Sequence, residues 1–119
     1  MRIIVAGGRD FNSYEMLEKE LKSIIDTNKD ENIEIVSGCA RGADTLGIKF
    51  AKENNIPIKF FPALWDQYDK SAGMIRNKQM AEYGDFLLAF WDGKSHGTRF
   101  VIEQAQKQGK KIRVFRALQ

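Results

Sequence analysis

Apolar residues along the chain fall into five short runs separated by longer stretches with helical spacing. The runs cover residues 3–6, 33–36, 56–61, 86–90 and 112–115. Each has strand length and is rich in β-branched and aromatic side chains. Several lack a clean alternation with polar residues, as expected of parallel strands covered on both faces. Between the runs, Leu17, Leu21, Ile24 and Ile25 form one helical stripe. Asn12 or Ser13 can cap it, and Asn12 with Glu15 has capping-box spacing. A second stripe uses Ala43, Leu46, Phe50 and Ala51, and a third uses Ile75, Met80, Ala81 and Tyr83. A fourth runs through Val101, Ile102 and Ala105 and stops near Gly109, a suitable C-terminal cap.

Strand and helix therefore alternate as βαβαβαβαβ. Parallel neighbours need right-handed crossovers, so the pattern predicts an α/β, Rossmann-like three-layer sandwich. The expected five-stranded parallel sheet has the order 3-2-1-4-5. With 119 residues and no repeat, low-complexity tract or linker, residues 1–119 are read as a single domain. The longest stretch expected to be irregular is 62–71, short enough for a functional loop.

In such a sheet the binding crevice lies beyond the carboxyl ends of the strands, where the strand order reverses between strands 1 and 4. Three glycine-bearing loops are predicted there. Gly7-Gly8-Arg9-Asp10 follows strand 1, Ser37-Gly38-Cys39-Ala40-Arg41-Gly42-Ala43-Asp44 follows strand 2, and Trp91-Asp92-Gly93-Lys94-Ser95-His96-Gly97-Thr98 follows strand 4. Glycine lets backbone N–H groups approach a ligand, and the helix N-terminus that follows favours phosphate. Arg9 and Arg41 can add charge. Ser95 and Thr98 can donate to a phosphate or cap the fourth helix. No GxGxxG or GxxxxGK[ST] pattern is present, which argues against an ordinary NAD domain or a P-loop nucleotidase.

Composition narrows the classes further. The 19 basic against 16 acidic residues give a net charge of +3, compatible with an anionic ligand but no strong bias towards nucleic acid. The basic cluster at 107–116 is read as a helix end and a strand flank. The sole cysteine, Cys39, has no intrachain disulfide partner, which fits a reducing compartment. No apolar run approaches the roughly 20 residues that span a bilayer. A cytoplasmic protein is expected, with no membrane partner. One histidine and one cysteine make no recognisable metal set, so neither a metal nor a required cofactor is expected.

Taken in order, Gly7-Gly8-Arg9-Asp10-Phe11, Ser37-Gly38 with Ala40-Arg41-Gly42-Ala43-Asp44, Arg76-Asn77 with Met80, and Ala89-Phe90-Trp91-Asp92-Gly93 with Ser95 and Gly97-Thr98 resemble the YspA/YpsA-related branch of the SLOG superfamily. The resemblance covers nearly the whole chain and implies a Rossmann-like fold and nucleotide-related ligands. It supports a ligand role for Arg76 and Asn77, as phosphate clamp and as reader of a ribose or base edge. Its relatives include the Lonely Guy phosphoribohydrolases, whose PGGxGTxxE segment supplies a phosphate loop and a catalytic glutamate. Gly97-Thr98 matches the GT of that segment, Ser95 replaces its second glycine, and Val101 stands at the glutamate. Glu103, two residues along, would point roughly 200° away on a helix and cannot simply replace it.

The reading that results is a protein that binds a nucleotide or nucleotide-derived small molecule through its phosphate and ribose, as a sensor or sequestering module. The expected ligand-binding set is Gly7, Gly8, Arg9, Ser37, Gly38, Arg41, Gly42, Asp44, Arg76, Asn77, Trp91, Gly93, Ser95, Gly97 and Thr98. One alternative is a phosphoribohydrolase-like N-glycoside hydrolase with a displaced carboxylate, for which Asp10, Asp44 and Asp92 are candidates. Asp44 can instead pair with Arg9 or Arg41, and Asp10 and Asp92 can order their loops through Asx-turns. A second alternative, by analogy with the DNA-processing protein A domain, is a DNA-associated module, which the modest charge disfavours. Trp65 and Trp91 can each stack on a planar ring or pack into the core, and Trp65 is the better lid. A homo-oligomer is compatible with the apolar content.

Overall fold

A computed structural model describes residues 1–116. In chain order the elements are β1 (Arg2–Gly7), α1 (Tyr14–Thr27), β2 (Glu34–Ser37), α2 (Ala43–Glu53), β3 (Ile58–Phe60), the single turn α3 (Trp65–Tyr68), α4 (Ala72–Tyr83), β4 (Phe86–Trp91), α5 (His96–Lys107) and β5 (Lys111–Arg116). The strands form one parallel sheet in the order β3-β2-β1-β4-β5. This is the Rossmann-like α/β architecture expected from the apolar runs.

Both faces of the central strands are buried, and successive side chains divide between two cores. Ile3 and Val5 of β1 and Leu88 and Phe90 of β4 pack with Leu17, Leu21, Ile24, Phe50 and Ala51 of α1 and α2. Ile4, Ala6, Leu87 and Ala89 face the other way, against Met80 and Ala81 of α4 and Val101, Ile102 and Ala105 of α5. Phe90 is fully buried and stacks between Phe11 and Phe115, with ring centroids 4.4 Å and 5.9 Å away. Those contacts clamp the loop after β1 onto the end of β4.

The helix ends follow local chemistry, with some departures from the expected pattern. Ser13 caps α1 by accepting from the Met16 amide, and the Asn12–Glu15 capping box does not form because Tyr14 already begins the helix. Past α5, the Gly109 amide donates to Gln106 and the Lys110 amide to Ala105, the paired bonds of a Schellman motif with Gly109 at φ 69°. In α4 the buried face is Ala72, Asn77, Met80 and Ala81, while Ile75 is only half-buried. The helix starts at Ala72, and a polar residue occupies the centre of its inner stripe. Residues 62–71 are not wholly irregular: they hold α3 and a 3₁₀ turn, Asp69–Ser71. Strand β3 is shorter than the apolar run around it. Pro57 has no N–H for a ladder and contributes only its carbonyl, which accepts from Ile35.

Candidate functional site

At the carboxyl ends of the strands, Gly7 of β1 stands in register with Phe90 of β4. The chain leaves β1 for a helix on one face of the sheet and leaves β4 for a helix on the other, so the two connections part. The crevice between them has a volume of ≈ 280 Å³. Gly7, Arg9, Ala40, Asp44, Arg76, Asn77, Ser95, Gly97 and Thr98 form its walls, and Ala6, Met80 and Val101 its apolar floor.

Arg76 and Asn77, one turn into α4, tie the two sides of this crevice together. Arg76 donates through Nη1 to the Gly38 carbonyl and through Nε to Asn77 Oδ1, at 2.7 Å. Asn77 Nδ2 in turn donates to the Gly97 carbonyl at 3.1 Å. A continuous chain of bonds therefore runs from the loop after β2, through α4, to the first turn of α5. Asn77 is only 8% exposed, and satisfying both ends of its amide explains why a polar residue sits on the inner face of α4. The two bonds made by Arg76 fix the guanidinium plane, and neither uses Nη2.

Asp44 lies in the first turn of α2, with 5% of its surface exposed at the crevice wall. Burial pushes its pKa up to about 6, against the opposing pull of the Ala40 amide, which donates to Oδ2 at 3.3 Å, and of the Arg76 guanidinium. Gly38 explains how the two groups come so near. A Cβ there would stand 2.8 Å from both Arg76 Nη1 and Asp44 Oδ2, so only glycine lets the loop pass between them. Gly42 is constrained twice over: its φ is 80°, and a Cβ would collide with the Gly8 carbonyl oxygen and lie 2.7 Å from that of Arg9.

After β4 the chain is ordered from within. Asp92 Oδ1 accepts from the Lys94 and Ser95 amides at 2.7 and 2.8 Å, an Asx-turn that also holds its carboxyl below the usual range. Trp91 Nε1 donates to the Ser95 carbonyl, and Trp91 packs beside the α4/α5 core instead of lining the crevice. Gly93, at φ 85°, lies under the Arg116 guanidinium, whose Nε donates to the Asp92 carbonyl. Ser95 caps α5 by accepting from the Thr98 amide, and its hydroxyl lies 3.2 Å from that of Thr98. The first-turn amides of His96 and Gly97 have no i−4 carbonyl within the helix and point outward from its start.

The remaining expected residues divide between the crevice rim and its supports. Ser37 is fully buried and bridges the Asp44 carbonyl and the Cys39 amide. The Gly8 amide donates to Phe90, and its carbonyl accepts from Phe11 and Ala43, so its polar groups hold loops together. Arg9 lines the crevice and both adjoining hollows. Arg41 borders one of these, of ≈ 350 Å³, and Asp10 and Asp92 border the other, of ≈ 230 Å³. Of the three candidate carboxylates, Asp44 alone lines the central crevice.

The family model described as "YspA, cpYpsA-related SLOG family" matches residues 1–68. The chain belongs to this family. The gene 61 protein of Mycobacterium phage D29 is 32% identical over 120 residues, an alignment covering 91% of this chain and 90% of the phage protein. Among solved structures, the SLOG chain is similar to DNA processing protein A (DprA) from Streptococcus pneumoniae, with a TM-score of 0.69 and 19% identity. That likeness is one of fold; it covers 95% of this chain and 49% of DprA, so the chain spans about half of that protein's length.

Besides Val101, at the position of the Lonely Guy glutamate, three crevice residues of the SLOG chain lie outside the expected ligand-binding set. Ala40 supplies the amide that holds Asp44, but an alanine in a loop carries no chemical signal. Met80 and Ala6 read as core, which they are. Their place at the sheet edge makes them the crevice floor as well, and only strand register shows that. Among the described residues, no three His, Cys, Asp or Glu side chains are grouped to hold a metal ion, and no helix is long and apolar enough to cross a membrane.

Proposed function

We propose that the crevice binds the phosphate and ribose of a nucleotide or nucleotide-derived small molecule, and that the protein acts as a sensor or sequestering module for it. The observation that carries this reading is the juxtaposition of the α5 N-terminus with the tethered guanidinium of Arg76 across one crevice. Outward amides and the helix dipole favour an anion at Ser95–Gly97–Thr98. Arg76, already fixed in orientation, binds without first giving up side-chain freedom. Asp44 supplies an acceptor on the same wall, suited to a ribose hydroxyl, and the apolar floor of Ala6, Met80 and Val101 keeps water from competing beneath the ligand.

Calorimetric titration with ribose 5-phosphate and with nucleoside monophosphates tests the reading. Binding that is lost in Arg76→Lys, which keeps the charge but not the two-armed tether, supports it. Absence of binding at millimolar ligand overturns it. Salt-sensitive binding of single-stranded DNA in the same assay would favour instead the DNA-processing role that DprA's name suggests, for which the fold likeness is the support.

A second reading has one specific observation behind it. A carboxyl with a pKa near 6 in a phosphate-suited crevice is placed in the range a general acid or base needs. Asp44 would then serve hydrolysis of an N-glycosidic bond. Release of free base from nucleoside monophosphates by the wild type, abolished in Asp44→Asn while ligand binding persists, is the expected result. Release that survives the substitution would remove Asp44 from the chemistry.

A further inference from the structure

We propose that the ligand's base lies outside the central crevice, stacked on Trp65 in a second lobe that opens beside it, so that the protein recognises nucleotides and not ribose phosphates alone. The inference rests on the phosphate–ribose reading above and adds a base site to it.

The second lobe has a volume of ≈ 350 Å³ and shares Arg9, Ala40 and Arg76 with the crevice. The crevice itself, at ≈ 280 Å³, falls just short of the roughly 300–1,000 Å³ of ordinary small-molecule sites, and the two lobes together fall inside that range. Their linings differ in chemistry. The first adds Asp44, Asn77, Ser95, Gly97 and Thr98 to the shared arginines, whereas the second adds Arg41 and the apolar surfaces of Pro62, Ala63 and Trp65.

Trp65 is 52% exposed, the most open of the large apolar side chains among the described residues. Half of the indole surface is therefore open to a planar ring entering the second lobe that Trp65 lines. Trp91 offers a contrast, since its Nε1 is satisfied by Ser95 and its ring packs beside the α4/α5 core. The edge of the Trp65 ring is held near the crevice: a Cβ at Gly73 would stand 3.6 Å from its Cη2 and 3.8 Å from Arg76 Nη2. Gly73 thus has the aromatic platform and the phosphate-suited guanidinium both within van der Waals reach, which places the two side chains together at the junction of the lobes. A single ribose bridging that junction would carry phosphate in one lobe and base in the other. Stacking on one aromatic face accepts any base, so the class specified is a nucleoside monophosphate or a derivative of one, without choice among bases.

The test compares ribose 5-phosphate with AMP, GMP, CMP and UMP by calorimetry on the full chain and on Trp65→Leu and Trp65→Phe. Each mononucleotide is expected to bind the wild type more tightly than ribose 5-phosphate does. Trp65→Leu should weaken mononucleotide binding by roughly ten- to a hundred-fold, the range of one lost base–aromatic stack, and Trp65→Phe should restore most of it. Ribose 5-phosphate should bind all three proteins alike. Mononucleotides that bind Trp65→Leu as tightly as the wild type overturn the base site and leave the phosphate–ribose reading standing. Equal weakening of ribose 5-phosphate by Trp65→Leu also overturns it, because Trp65 would then be shaping the first lobe. If neither ligand class binds the wild type, both readings fall together.

Discussion

Replacing Asp44 with asparagine should stabilise the protein at neutral pH and change little at pH 4. The carboxyl is 5% exposed, and the Ala40 amide that donates to it at 3.3 Å and the Arg76 guanidinium beside it do not together repay the hydration it loses on folding. Burial therefore raises its pKa from 3.8 to about 6. Because the folded value lies above the unfolded one, the unfolded chain releases this proton first as pH rises. The stability Asp44 contributes is fully present below pH 3.8 and is lost as pH rises through about 6. A shift of that size corresponds to roughly 3 kcal/mol at pH 7, a large share of the roughly 5–15 kcal/mol that holds a small domain together. Asparagine keeps an acceptor for the Ala40 amide and carries no charge, so it escapes the cost. Denaturant unfolding of both proteins from pH 4 to pH 8 is the assay. The wild type should fall progressively behind the variant between pH 4 and pH 7 and then run parallel to it. A difference that stays constant with pH, or one that favours the wild type at pH 7, would refute the assignment of a buried charge whose desolvation outweighs its partners.

Two further substitutions probe the frame around the crevice. Gly42→Ala places a Cβ against the Gly8 and Arg9 carbonyl oxygens at a φ of 80°, and should cost roughly 2–3 kcal/mol in a denaturant titration; an unchanged midpoint would mean that the two loops do not cross there. Asn77→Ala removes the link between Arg76 and the Gly97 carbonyl and should cost about 1–3 kcal/mol, with weaker binding of ribose 5-phosphate in the same protein. Loss of stability with no loss of affinity would show that Arg76 is held by Gly38 alone.

The layers were legible in the sequence because burial on both faces leaves strands as short apolar runs and helices as stripes, and neither signal depends on tertiary detail. The crevice loops were legible in outline, because Gly38, Gly42 and Gly93 mark places where the backbone takes a conformation or an approach that other residues resist. What the glycines do there was not legible. Gly42 makes room for the neighbouring loop and Gly93 for Arg116, contacts made across the fold and carrying no local pattern. Asn77 was expected at the crevice, which it lines, but its part in joining Arg76 to the Gly97 carbonyl, 20 residues along, is likewise a contact across the fold with no local pattern. The short helix α3 was missed because four residues carry too little periodicity to separate a turn from a loop.

The position matching the Lonely Guy glutamate sharpens what chemistry this crevice can support. Val101 lies on the floor beside Ala6 and Met80 and is 1% exposed. A carboxylate placed there would be desolvated, and the valine is consistent with a floor that only excludes water. Asp44 stands on the opposite wall, in the first turn of α2, where the Ala40 amide and the Arg76 guanidinium make a buried acid tolerable. Under the hydrolytic reading, Asp44 would reach the ligand from the α2 side, with an attacking water between it and the ribose. The same placement serves binding without chemistry, since a carboxylate there accepts from ribose hydroxyls. The two roles part on one observable: a ribose hydroxyl donating to Asp44 stabilises the charged form and lowers its pKa in the complex, whereas a general acid must keep its raised value with ligand bound.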